Sequence, residues 1–345
     1  MNQTQIIRGK APLRIGLAGG GTDVSPYADL YGGAILNATV NLFARTTIIP
    51  HDKGVINIVS KDLGEVLAYK SAEVLPIDGQ LDLIKGVYNR IVRDYAKRPL
   101  SFDLITEVDV PKGSGMGSSS TITVSLLGAF QEWLNLPFGE YDIAKLAFEI
   151  ERKDLNMAGG RQDQYAATFG GFNFMEFYAD EKVLVNPLRV KEEYMEELEM
   201  SLLLYYTGTS RESATIIKRQ SDNFSHKADR SIEAAHKLKK QAQEMKEALL
   251  TGKLDQLGEI LDNGWQAKKQ MASGISNPEI DEMYAAAKKA GMSGGKISGA
   301  GGGGFMMMYC PQNSRYEVME ALSTFNGRFL PFQFSRKGLR SWKIN

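Results

Sequence analysis

Residues 111–121 read PKGSGMGSSST, and the fold turns on what this run is for. It follows FDLITEVDV, residues 102–110, where apolar and polar residues alternate as in a half-buried strand. It precedes TITVSLLGAFQEWLN, in which Ile122, Leu126, Ala129, Phe130 and Trp133 recur at helical spacing. The run is therefore a loop opening a helix, where unpaired backbone N–H groups gather and the helix dipole favours an anion. A Ser-capped turn that glycine merely permits is the simpler alternative. The rest of the chain decides between them.

Glycine is over-represented, with 35 residues in a chain of 345, against an average of about 7%. Much of the excess lies in GLAGGGTD near the start, GSGMGS in the middle and GAGGGG near the end. Clusters so far apart, each beside an apolar run, suggest backbone approaching one ligand from several sides.

The charges exclude some function classes. Forty-one basic and forty-one acidic residues cancel, so no global field recruits nucleic acid or an anionic membrane, and an anionic ligand must be held by local geometry. The single cysteine, Cys310, sits beside FMMMY without a Cys or His cluster, which suits a buried strand thiol and argues against zinc. The segment MNQTQIIRGKAPLR lacks a signal-peptide apolar core, and no run approaches a membrane span. A cytoplasmic protein without nucleic-acid or membrane partners is expected, as monomer or homodimer.

Along the chain, LRIGLAG, GAILNATVN, ARTTIIP and VINIVS read as short strands in a β-rich opening third. Residues 81–96 and 141–155 read as helices, and 159–177 as glycine turns leading to an aromatic strand. After the acidic patch KEEYMEELEM, residues 191–200, the character changes to amphipathic helices around 231–250, 254–271 and 279–291. A strand, FMMMYC, a helix near 316–325 and strand-like FLPFQFS follow. The length and this change suggest two domains, 1–195 and 196–345.

The opening loop fails two familiar templates. A P-loop ends in Gly-Lys-Ser/Thr, whereas Lys112 precedes the glycines, and a dinucleotide fingerprint spaces its glycines differently from Gly113, Gly115 and Gly117. Ser118, Ser119 and Ser120 open the helix, where a hydroxyl can meet a phosphate oxygen and Mg²⁺ together, as an ATP triphosphate requires. PKGSGMGSSST resembles the second signature of the GHMP kinases (galactokinase, homoserine kinase, mevalonate kinase, phosphomevalonate kinase), with Met116 for the usual leucine and Ser120 for alanine. KAPLRIGLAGGGTD, residues 10–23, is similar to the family's first signature and KISGAGGGGF, residues 296–305, to its third, in the family order.

The resemblance implies an α+β protein of the GHMP kinase fold. Its N-terminal α/β domain would carry a left-handed, ribosomal-protein-like βαβ unit, and its C-terminal domain would be ferredoxin-like. It also implies ATP and Mg²⁺, with Pro111, Lys112, Gly113, Ser114, Gly115, Met116, Gly117, Ser118, Ser119 and Ser120 cradling the nucleotide. Asp163, in GGRQDQY, looks like the aspartate placed beside the acceptor hydroxyl. Arg14 stands where the family carries a cation beside it, with Lys10 as an alternative. Glu151 resembles the Mg²⁺-binding glutamate that pairs with Ser119. Its spacing to Asp163 is one residue longer than in mevalonate kinase, so Glu149 competes for the role.

Galactokinase-like members bind sugar hydroxyls with an aspartate at the position of Asp23. A carboxylate accepting from vicinal hydroxyls suits a polyol, so Gly21, Thr22 and Asp23, with Gly301 and Gly302 from the third cluster, are expected around a sugar. The stretch RIGLAGGGTDVSPYADLYGGAILNATVN looks closest to the bacterial kinases of D-glycero-D-manno-heptose 7-phosphate, with fucokinase domains next. That branch phosphorylates the anomeric hydroxyl on the way to nucleotide-heptose and surface polysaccharide. A sugar phosphate needs further cations, for which Arg211 and Arg161, then Arg45, are the expected residues. The rival readings are a kinase for a free sugar, a silent sugar or nucleotide sensor, and a decarboxylase of the same fold.

Overall fold

The computed structural model describes residues 5–209 and 213–344. Strand β1 (Ile6–Ala18) runs through a short helix α1 (Tyr27–Tyr31) into β2 (Gly33–Pro50), followed by β3 (Val55–Ser60) and β4 (Glu65–Lys70). Helix α2 (Asp82–Ile91) leads to β5 (Phe102–Val108), the Gly/Ser loop and α3 (Ser118–Leu134). Next come α4 (Glu140–Glu149), a π-helical turn at Ile150–Asp154, α5 (Gln162–Phe169), β6 (Phe172–Phe177) and β7 (Val183–Pro187). The second half contains α6 (Glu192–Ser201), β8 (Leu202–Tyr206), α7 (Ser213–Ser225), α8 (Asp229–Thr251), α9 (Leu257–Lys268) and α10 (Pro278–Lys289). It closes with β9 (Gly294–Ile297), β10 (Phe305–Tyr309), α11 (Arg315–Leu322), β11 (Arg328–Phe329) and β12 (Arg340–Ile344).

The first sheet has the order β12-β1-β2-β5-β3-β4, with β6 and β7 joining on β2. GAILNATVN and ARTTIIP, expected as two strands, form the single strand β2. Its first half pairs with β6 and its second with β5, while β1 runs along its other edge, so partners hold the whole length extended. Strand β3 lies parallel to β5, with β4 and α2 in the connection between them. The second sheet, β11-β8-β10-β9, is antiparallel throughout, the strand order of a ferredoxin-like unit.

Three further expectations change. QDQYAATF, read as part of a glycine turn, is α5, because the Asp23 carboxylate accepts from the backbone N–H groups of Arg161 and Gln162 at its start (2.9 and 3.1 Å). The acidic patch before β8 is α6, which buries Met195 and Leu198 and turns its glutamates outward. FLPFQFS contributes Phe329 to β11 and one bridge, Val40 to Phe334. The last strand is β12, which returns to pair with β1, so residues 340–344 belong to the first sheet and a cut at 195/196 does not separate the two sheets' strands. Among the described residues no helix is long and apolar enough to cross a membrane.

Helix α3 is seated by glycine at the sheet. A Cβ on Gly9 would stand 2.1 Å from the Ser125 carbonyl oxygen and 3.1 Å from the Ala129 nitrogen, both backbone atoms of α3. Ser125 Oγ donates to the Gly9 carbonyl (3.1 Å) and is hydrogen-bonded with the Thr46 hydroxyl (2.8 Å), fixing the helix across β1 and β2. Gly9→Ala is expected to lower unfolding free energy by about 1–3 kcal/mol, since backbone must move to admit the methyl. Urea denaturation measures this, and an unchanged midpoint would show that the helix seat is soft.

Candidate active site

Strand β1 aims the first functional side chain. Its pairing with β2 slips between Pro12, opposite Phe43, and Arg14, opposite Thr39, a bulge that gives β2 two extra residues, and the side chains of β1 change faces across it. Before the shift, Gly9 faces α3 and Lys10 lies over the Phe43 ring. After it, Leu13, Ile15 and Leu17 pack with Met245 and Leu249 of α8, and Arg14 faces the loop that opens α3. Lys10 and Arg14 would share a face on an unbroken strand. The bulge separates them and leaves Arg14 at the site.

Arg14 is 4% exposed. Its Nε and Nη2 bind Asp163 Oδ1 at 2.7 and 2.6 Å, and its Nη1 donates to the Gly115 carbonyl at 2.6 Å. Asp163 Oδ2 makes no hydrogen bond among the described residues, and the Asp163 side chain is 24% exposed, so one carboxylate oxygen stays open beside the loop. A Cβ on Gly117, the residue preceding α3, would come within 3.2 Å of that Oδ2. Glycine there keeps the carboxylate and the helix N-terminus adjacent.

The third glycine cluster is stitched to the second. Ser298 Oγ donates to the Gly115 carbonyl (2.9 Å), Phe305 N donates to the Ser114 carbonyl (3.1 Å), and a Cβ on Gly115 would meet the Ser298 oxygen at 2.3 Å. The cradle residues divide by environment. Met116 is core, Lys112 is exposed, Pro111 accepts the turn hydrogen bond from Ser114 N, and Gly113 and Ser118 line the half-buried loop.

Glu151 points into the protein from the π-helical turn after α4, 1% exposed. Its Oε2 accepts from Ser120 Oγ (2.9 Å) and Gln164 Nε2 (3.0 Å) and pairs with Arg152 (3.1 Å). Burial raises the Glu151 pKa above the usual carboxylate range, against the pull of Arg152 and the Ser120 hydroxyl. Glu149, the competing candidate, pairs with Arg90 at 3.0 Å. Ser119 Oγ, Ser114 Oγ and Glu151 Oε1 are buried without a hydrogen-bond partner. Ser119 and Glu151 are the two side chains expected to hold Mg²⁺, so the oxygens left unpaired are those a hard, oxygen-seeking cation would take. Ser120 serves Glu151 instead, a positioning part.

The expected sugar site is partly redrawn. Asp23 is buried with Oδ2 on the N-terminus of α5, and its Oδ1 makes no hydrogen bond among the described residues. The Thr22 hydroxyl is taken up by the backbone, its one proton lying between the Gly19 and Ala34 carbonyls while its oxygen accepts from Ala34 N. Gly302 N donates to the Ile275 carbonyl (2.8 Å), and a Cβ on Gly301 would meet that same oxygen, so both anchor the third loop to the chain after α9. Arg161 is held by Asp29, the Tyr178 carbonyl and Ser25, and Arg45 by Asp109, which removes both as free phosphate cations. Arg211 lies outside the described residues.

Two lysines were missed. Lys268, 6% exposed, donates to the Gly20 carbonyl (2.9 Å), and its Nζ would lie 2.6 Å from a Cβ on Gly21. The Lys296 Nζ stands 3.7 Å from where Gly20 would carry a Cβ. The readable signal was Lys268 on the buried stripe of Leu261 and Trp265, at helical spacing.

The family model for the GHMP kinases N terminal domain matches residues 82–171, and that for the GHMP kinases C terminal matches residues 245–327. The chain belongs to the GHMP kinases. A Campylobacter jejuni protein named D-glycero-alpha-D-manno-heptose 7-phosphate kinase is 48% identical over 338 residues, covering 98% of this chain and 99% of that protein. The crystal structure of a D-glycero-D-manno-heptose 1-phosphate kinase from Bacteroides thetaiotaomicron superposes with a TM-score of 0.85 at 47% identity, covering 98% of this chain and 99% of that one. An L-fucokinase/L-fucose-1-P guanylyltransferase of Bacteroides fragilis is 25% identical over 97% of this chain but only 38% of that protein.

Ser119→Ala and Glu151→Gln are each expected to raise the Mg²⁺ concentration for half-maximal turnover by at least about tenfold, the lower range for residues that only support metal ligands. A carboxylate must lose its proton to hold the cation. Because the Glu151 pKa is raised, the wild-type Mg²⁺ requirement should climb as pH falls, and Glu151→Gln should flatten that dependence. Mg²⁺ titrations of turnover across pH check both, and an unchanged requirement in both variants would remove the metal role.

Proposed function

We propose that this chain transfers the γ-phosphoryl group of ATP to the anomeric hydroxyl of D-glycero-D-manno-heptose 7-phosphate, giving the 1,7-bisphosphate used for nucleotide-heptose and surface polysaccharide. The observation that carries this reading is the buried Arg14 held against Asp163 at 2.6 Å beside the helix opened by Ser118. The two closely similar proteins are named for phosphates of this one sugar, at positions 7 and 1.

Phosphoryl transfer asks the protein for position and for charge placed where the transition state needs it. The N–H groups that open α3 face the phosphates, and the helix dipole adds to their attraction. Asp163 Oδ2 takes the proton of the acceptor hydroxyl as the new O–P bond forms and the bond to ADP breaks. Arg14 fixes the other oxygen, so the carboxylate presents one face only, and its guanidinium offsets charge developing on the moving group. Ser119 and Glu151 would hold Mg²⁺, which neutralises phosphate charge when bound. Asp23, anchored through Oδ2, presents Oδ1 to sugar hydroxyls. The protein acts away from membranes and nucleic acid, in the cytoplasm, as a monomer or homodimer.

A second reading, a kinase for a free sugar such as fucose, keeps the same chemistry and differs in the acceptor. ADP release is measured with heptose 7-phosphate, heptose 1-phosphate, fucose and galactose, and heptose 7-phosphate is expected to give the highest kcat/KM. Asp163→Asn should retain the thermal midpoint and lose about 10²–10⁴ in turnover. Full turnover in that variant would remove Asp163 from the chemistry, and preference for a free sugar would overturn the acceptor.

A further inference from the structure

Lys268 and Lys296 converge on the glycine loop after β1 from two different elements, α9 and β9. Neither ammonium forms an ion pair among the described residues. Lys268 has one hydrogen bond, to the Gly20 carbonyl, although an ammonium offers three donors. The half-buried Lys296 has none among the described residues, and its Nζ stands 3.8 Å from where Gly16 would carry a Cβ. Burial lowers the Lys268 pKa to about 8 and the Lys296 pKa to about 7, with Arg14 acting on both in the same direction and Asp23 opposing it at Lys268. Two such cations set against one loop are stabilised by an anion beside them.

The charge count points the same way. Arg14 is matched by Asp163, and Asp23 is engaged through Oδ2 with the start of α5. With both lysines charged, the loop carries one positive charge more than Asp163 and Asp23 offset, which an anionic group balances. Arg14 and Gly16 lie two residues, about 7 Å of strand, apart on β1, so Lys296 approaches β1 at a point beyond Arg14. A sugar accepting phosphate at one end and carrying phosphate at the other bridges that separation.

We propose that Lys268 and Lys296 together bind the phosphate that the acceptor sugar already carries, and so discriminate a sugar phosphate from the free sugar. This rests on the sugar-phosphate kinase reading above. A phosphate of the nucleotide offers the same chemistry, and the kinetic arms separate the two sources.

Lys268→Gln and Lys296→Gln are assayed with ATP and heptose 7-phosphate, each varied at saturation of the other, and with free heptose as inhibitor. Each variant is expected to raise the KM for the sugar phosphate about 10- to 100-fold, the range of one charged hydrogen bond. The KM for ATP should stay within about twofold and inhibition by free heptose should be unchanged. Inorganic phosphate should compete with the sugar phosphate on the wild type, and less so on either variant. Lys296→Gln, at a half-buried side chain, carries the test should Lys268→Gln not fold. A raised KM for ATP with the sugar-phosphate KM unchanged would assign the lysines to the nucleotide and overturn the proposal. So would equal weakening of free heptose and heptose phosphate. Wild-type enzyme that turns over only unphosphorylated sugars would instead refute the underlying reading, and needs no variant to detect.

Discussion

The guanidinium of Arg14 is the point on which the site depends. It reaches from β1 to the Asp163 carboxylate at the start of α5 and to the Gly115 carbonyl in the loop before α3. A planar fork serves this geometry where an ammonium would not, because its donors leave in fixed directions. Its charge is buried and is tolerable only because Asp163 lies against it and the loop carbonyl takes another donor. Moving β1, α3 or α5 relative to the others would break one of these bonds, so the catalytic geometry and the packing of three segments are one constraint.

The glycine clusters make that packing possible. At Gly115 and Gly117, side chains would strike the Ser298 carbonyl and the Asp163 carboxylate. Backbone of the third glycine cluster and of the loop before α3 therefore touches directly, with Ser298 and Phe305 hydrogen-bonded to that loop. The proposed nucleotide at the α3 N-terminus would meet preset main-chain groups, which cost little reorganisation when charge moves.

The charged groups around the glycine clusters carry both signs. Burial pushes Glu151 toward its neutral form, and Lys268 and Lys296 likewise. Each carries an electrostatic cost that a ligand of the complementary sign removes.

The loop 111–121, its helix and the three glycine signatures were legible in the sequence because local spacing and turn chemistry set them, and the resemblance built on them led to Asp163, Arg14, Ser119 and Glu151. Long-range partners were not legible. Whether Arg161 meets a phosphate or Asp29, and whether Thr22 faces a sugar or the Ala34 backbone, depends on residues distant in sequence. That Arg14 and not Lys10 meets Asp163 depends on a change of faces at a two-residue bulge against β2, and that Glu151 and not Glu149 is buried beside Ser120 depends on a π turn that aims one inward and leaves the other to Arg90. Lys268 and Lys296 lie 28 residues apart on α9 and β9, and only the fold sets both against one loop. Sequence by itself determined which backbone could approach a phosphate, since glycine placement and a helix start are local. Only the tertiary structure decided which charges stay free for a ligand, since that depends on which of them the chain has already paired.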